Sequence, residues 1–147
     1  TSKDFEKSPK TAITKATIDK IGKALVTVPE GFKPLKQIER LFKDRNTNFF
    51  ENKELSWADA ELLAYASVLL DGNIVRMSGQ DVKRGTFSHR HAVLFDAKTN
   101  EQYCSINHIE ENQENKINIQ DPELKNKKNN TSKKNIVINS LNFSMYS

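Results

Sequence analysis

Apolar residues crowd between Phe49 and Phe95 and thin out after Ile109, so one stretch of the chain can build a core and a long remainder cannot. Ahead of the dense stretch, Ile13, Ala16, Ile18, Ile21 and Leu25 recur at mixed helical spacing and predict a short amphipathic helix ending near Gly22. Val26, Val28 and Pro29 then run extended, because the residue before a proline avoids helical angles, and Glu30-Gly31 turns the chain. Pro34 pre-sets the first turn of a second helix, whose inner stripe is Leu35, Ile38, Leu41 and Phe42 and whose stop is Asn46. Two helices of this size bury too little to stand alone, so they are expected to pack on something larger.

The third helix is the clearest element. Ser56-Trp57-Ala58-Asp59 has capping-box form with Asp in the place of Glu or Gln. From Ala60 to Leu70 the residues are apolar nearly all round, which predicts a buried helix lying against a sheet, with Trp57 and Tyr65 in the packing. Asp71-Gly72-Asn73 ends it, Gly72 suiting a left-handed cap. Ile74–Ser78 reads as a strand that feeds a loop at Gly79. Helix, tight turn, strand and glycine loop in that order predict an α/β domain with a parallel sheet. A second strand is expected at Ala92–Phe95, then a turn over Asp96–Asn100 and a return at Gln102–Ile106.

Composition changes the picture mainly at the carboxyl end. Asn and Lys make up about two-fifths of residues 107–147, a bias that builds no core, so residues 110–135 are expected to be mostly disordered, with Ile136-Val137-Ile138 and Leu141–Tyr146 the segments able to pack. The net charge is +4, much of it from Lys125, Lys127, Lys128, Lys133 and Lys134, and a basic tail without aromatic or motif support argues for a solvated segment and against nucleic-acid binding. The single cysteine, Cys104, forms no internal disulfide, which suits a reducing compartment. No apolar run has the length of a membrane span and no signal peptide opens the chain, so no membrane partner is expected.

The chemistry is concentrated in Ser78–Val93, SGQDVKRGTFSHRHAV, which holds two glycines, an amide, a carboxylate, three cations and two histidines. Such a loop at the carboxyl end of a parallel strand is where α/β proteins place ligands. Arg84 and Arg90 could each clamp a carboxylate. His89 and His91 would share a face if they lay on a strand, but with Cys104 and His108 they match no zinc spacing, so no metal site is expected. A Cys–His nucleophilic pair lacks an orienting group. An ordinary polar surface loop is the competing reading.

Three motifs in order then resemble one family. Thr27–Phe32, TVPEGF; Trp57 with Ala60–Ala66, AELLAYA; and Arg76–Asp81 followed by Arg84–Phe87 and His89–Val93 are similar to segments of the decarboxylating first component of 2-oxoglutarate dehydrogenase, at the start of its pyrimidine-binding domain. The resemblance runs from about Thr11 to Ile109. It implies thiamine diphosphate held with magnesium, decarboxylation of 2-oxoglutarate and succinyl transfer to a lipoyl group on the second component. Gln80 and Asp81 would be cofactor-binding, with Arg84, Phe87, His89, Arg90 and His91 as substrate-site neighbours. The implied partners are a pyrophosphate-binding domain, a dimer mate and the lipoyl-bearing component; the implied location is the bacterial cytoplasm, or the mitochondrial matrix in a eukaryote.

The departures set the expectation for this chain. The family's magnesium-binding domain is not in it. The family's pyrimidine-activating glutamate follows an Asn-Ser strand motif, and Ile136–Leu141, IVINSL, resembles that strand, but the last acidic residue here is Glu123, so no catalytic residue is assigned. The expected fold is an incomplete transketolase-like pyrimidine-binding domain of α/β class. It comprises a helical lead-in over residues 1–52, the domain start over 53–109 and a mostly disordered Asn/Lys-rich tail over 110–147. The expected function is an enzyme fragment that is inactive, and free of cofactor, by itself. A divergent or frame-shifted tail would account for the change near Asn107. The alternative is a non-catalytic interaction module derived from the same domain, which co-purification with a full-length component would distinguish.

Overall fold

A computed structural model describes residues 10–121 and the backbone of the strand Asn135–Asn139. Helix α1 spans Lys15–Leu25, capped by Thr14, whose hydroxyl oxygen accepts from the Thr17 N–H at 3.2 Å. It runs past Gly22, which is no terminator. A Cβ on Gly22 would sit 3.0 Å from the Phe49 ring, so the missing side chain is what lets that ring close on the helix. The helix ends where the Thr27 hydroxyl takes the Lys23 carbonyl at 2.7 Å. Glu30-Gly31 turns as expected, with Gly31 at φ 83°.

Helix α2, Lys36–Asn46, starts after Leu35, which serves as its N-cap and is 43% exposed rather than turned inward. Pro34 stays outside and bridges antiparallel to Asp96. Ile38 is buried, while Leu41 and Phe42 are half-buried. The α-helix stops at Asn46 as expected, but the backbone stays helical beyond it. The backbone widens into a π-helical turn, Thr47–Asn52, which buries Phe49, and termination comes at left-handed Lys53, φ 56°.

Helix α3, Trp57–Leu70, buries Leu62, Leu63, Tyr65, Ala66 and Leu69. Its end is a Schellman motif, with Gly72 N–H to Leu69 O and Asn73 N–H to Val68 O, both 3.1 Å, and Gly72 at φ 83°. The Ser56 hydroxyl accepts from Asp59 N–H at 3.1 Å as a cap should, but the Asp59 carboxylate takes the Ser56 hydroxyl and Arg45 instead of closing a capping box. Trp57 is 93% exposed, contrary to its expected place in the core, because the first residue of the helix overhangs the packed face.

Strand β1, Ile74–Ser78, lies between two parallel neighbours: β4, Asn118–Gln120, and β5, Asn135–Asn139, in the order β4-β1-β5. Val75 pairs with Ile136 and Met77 with both Ile138 and Ile119. Val75 and Met77 turn to the face that α3 covers, and with Ile21, Leu62, Leu69, Val82 and Ile106 they form the centre of the core. The segments at residues 94–103 fold otherwise: β2, Leu94–Phe95, and β3, Gln102–Tyr103, make a separate antiparallel pair, both shorter than expected, and a 3₁₀ turn follows at Ser105–Asn107.

Order also continues beyond Ile109, against the expectation for residues 110–121. Asn107 pairs with the Ile117 backbone through both amide groups (Oδ1 from N–H, 2.7 Å; Nδ2 to O, 3.3 Å). Gln113 accepts from Ile109 N–H at 2.9 Å and donates to the Ile106 and Asn115 carbonyls at 3.0 and 2.8 Å. Amide side chains thus satisfy backbone that a polar sequence would leave to water, and Ile117 is buried. Residues 122–134, with the lysine run, and 140–147 lie outside the described residues.

Candidate functional site at the carboxyl end of β1

The loop from Gly79 to Val93 leaves the carboxyl end of the central strand. Its two limbs are laced by backbone bonds: Arg90 and His91 N–H to Arg84 O at 3.0 and 2.9 Å, and Ala92 N–H to Lys83 O at 2.9 Å. Asp121, just past β4, accepts from Val82 N–H at 2.7 Å and ties the entry limb to the sheet. Asp81, Ser88 and His91 hold φ of 51°, 52° and 44°, and Gly85 holds 84°. Three left-handed non-glycine residues in so short a span mark a backbone that local preference does not choose.

Gln80 is exposed two residues beyond the strand. Asp81 is drawn aside by Arg84, whose Nε and Nη2 donate to one carboxylate oxygen at 3.0 and 2.6 Å. That pairing holds Arg84 above its usual pKa. Phe87 is 87% exposed and His89 is exposed, its imidazole lying across Gly85. His91 is half-buried; burial first, then the nearby cations of Arg45 and Arg84, pull it below the ordinary imidazole value. The histidines precede β2 on irregular backbone, so they share no strand face. His108 bonds the Cys104 carbonyl at 3.0 Å and stacks on Tyr103, and burial pushes the Cys104 thiol up to about 11.

Arg90 does not face outward. Its Nε and Nη2 form a fork on Glu61 at 2.7 and 2.9 Å, and Nη1 donates to Val82 O at 3.0 Å. The Tyr65 hydroxyl donates to the same Glu61 at 2.8 Å. For Glu61, burial favours the neutral acid, but the bonds from Arg90 and Tyr65 outweigh it and the pKa falls. Behind Arg90, the buried Arg45 spans from Asp59 (2.6 Å) to the Arg90 carbonyl (3.0 Å). Glu61, Asp59, Arg45 and Tyr65 were not legible as site residues. The sequence signal was a carboxylate pair two apart on an otherwise apolar helix, since buried charge needs a partner. Elsewhere, Asp96 accepts from the N–H groups of Lys33, Thr99 and Lys98, which hold its carboxyl at about 2 and pin the TVPEGF segment to the hairpin.

The loop therefore offers a polar amide, an aromatic ring and an imidazole at a parallel sheet's carboxyl edge, on a backbone fixed from below. Residues 53–118 match the family model of the transketolase pyrimidine-binding domain. This stretch belongs to that family. The chain is 50% identical over 97 residues, 66% of its length, to "2-oxoglutarate dehydrogenase, mitochondrial" of Dictyostelium discoideum. It is 42% identical over 100 residues, 68% of the chain, to the "2-oxoglutarate dehydrogenase E1 component" of Geobacillus kaustophilus, and 41% identical over 110 residues, 75% of the chain, to that of Brucella anthropi. The chain spans about a tenth of the length of these relatives. No helix among the described residues is long and apolar enough to cross a membrane.

Proposed function

We propose that the chain supplies the opening of the pyrimidine-binding domain of a thiamine-diphosphate-dependent 2-oxoglutarate dehydrogenase first component. The observation that carries this reading is the Gly79-Gln80-Asp81 turn at the carboxyl end of a strand flanked by two parallel neighbours, in a segment with relatives of that name. When bound, thiamine diphosphate supplies the electron sink for decarboxylation of a 2-oxo acid. The exposed Gln80 amide suits a heteroaromatic nitrogen or amino group, and the exposed Phe87 and His89 of the same loop offer ring faces. The exposed loop residues suit the ring end of the cofactor, and on the same reading the magnesium and diphosphate end belongs to the pyrophosphate-binding domain. Arg84 and His91 are substrate-side neighbours, and Arg90 contributes through the fold. The succinyl acceptor, a lipoyl-bearing component, and the dimer mate belong to the same reading, as does a mitochondrial-matrix or bacterial-cytoplasmic setting.

The test is a chimera. Replacing the matching segment of an active 2-oxoglutarate dehydrogenase first component with residues 53–118 should retain 2-oxoglutarate decarboxylation, and Gln80→Ala in that chimera should lower it at least tenfold. A folded chimera without turnover, or one indifferent to Gln80, overturns the reading. The 147-residue chain alone, which spans about a tenth of its relatives, should release no carbon dioxide from 2-oxoglutarate.

A further inference from the structure

Arg90 is gripped through both its side chain and its backbone. Glu61 takes the guanidinium in a two-point fork, Val82 O takes its third nitrogen, and Arg45 takes the carbonyl while braced on Asp59. Asp59 and Glu61 project from α3, the rigid helix at the centre of the core. Arg90 N–H itself donates to Arg84 O, so one residue links the exit limb of the loop to its entry limb and both to the helix. The backbone so held contains Asp81, Ser88 and His91 in left-handed conformations. Such conformations persist where surrounding structure over-determines them.

We propose that Glu61 and Arg45 are positioning residues: acting through Arg90, they fix the backbone of Gly79–His91 and so the direction in which Gln80 and His89 face a ligand. The purpose of the device rests on the ligand reading above; its mechanics do not. A fork is required, because a guanidinium engages both carboxylate oxygens and still reaches Val82 O, which an ammonium at the end of a flexible stem cannot do. The neutral amide introduced by Glu61→Gln would keep one acceptor and lose the charge-assisted pair.

Amide hydrogen exchange on the 147-residue chain, read by NMR, separates positioning from general stabilisation. In Glu61→Gln the amides of Arg90, His91 and Ala92 should exchange at least tenfold faster, while those of Val75 and Met77 in β1 and Ile21 in α1 keep their rates. Arg90→Lys, which keeps the charge and loses the fork, should give the same local pattern. Tyr65→Phe removes a single bond to Glu61 and should shift the same amides by a smaller factor, and it decides the matter if the other two variants do not fold. Unchanged loop amides, or acceleration of all amides alike, would overturn the proposal. Failure of the chimera would instead leave this pattern intact and remove only its purpose.

Discussion

Gly85→Ala probes the loop most directly, because two penalties meet at one atom. At φ 84° an L-residue pays about 1–2 kcal/mol for the left-handed region. The added Cβ would also stand 2.6 Å from His89 Cε1 and 2.8 Å from Nδ1, inside any real contact. The size of the second penalty depends on what must move. His89 is exposed, so its imidazole can swing away, and displacing an exposed side chain of this kind costs on the order of 0.5 kcal/mol. The backbone penalty therefore dominates. Gly85→Ala should destabilise the chain by roughly 1.5–2.5 kcal/mol, and in a His89→Ala background by about 0.5 kcal/mol less. Urea unfolding followed by far-ultraviolet circular dichroism reads this as a midpoint lowered by roughly 1 M, given slopes of about 1–3 kcal/mol/M for small proteins. Gly85→Asn should cost less than Ala, since asparagine tolerates this backbone better. A cost below about 0.5 kcal/mol would refute the left-handed assignment. Coupling to His89 above about 2 kcal/mol would refute the claim that the ring is free to leave.

Removing one partner of the Arg45–Asp59 pair, whose side chains are 3% and 6% exposed, should be severe: Asp59→Ala costs about 3–5 kcal/mol by urea unfolding, and an Arg45→Met/Asp59→Leu double variant recovers most of it. Asp96, held at about 2 against an ordinary 3.8, contributes stability that is present above that ordinary value and lost as pH falls toward 2. Asp96→Asn should flatten the stability curve between these limits, and an unaltered acid limb in equilibrium unfolding would sink the assignment. Trp57, the only tryptophan, should emit as a solvated indole in the native state, with acrylamide quenching close to that of the unfolded chain; strong protection from quenching would contradict its exposure.

Much of the fold was written locally. The apolar run Ala60–Leu70, bounded by Ser56 and Gly72, specifies α3 to the residue, because caps and periodicity depend on neighbours a few positions away. Ile74–Ser78 and the loop after it were legible for the same reason, and the motif series pointed to the pyrimidine-binding domain. Misreadings fell where distant residues intervene. Gly22 looked like a helix end because the Phe49 ring that needs its bare backbone lies far along the chain. Ile117-Asn118-Ile119-Gln120 has the alternation of a strand, yet its polar surroundings hid it until Asn107 and Gln113 supplied the missing bonds.

The site divides along the same line. Which chemical groups stand beyond β1, namely Gln80, Asp81, Arg84, Phe87, His89, Arg90 and His91, is a matter of sequence alone. Which of them face outward was decided by tertiary structure. Two arginines six residues apart look equivalent in a sequence, but Arg84 curls onto the adjacent Asp81 at the surface while Arg90 is buried against Glu61, a partner 29 residues away. An ion pair's role depends on which charge the fold brings within reach and how much water it excludes, and neither is a local property of the chain.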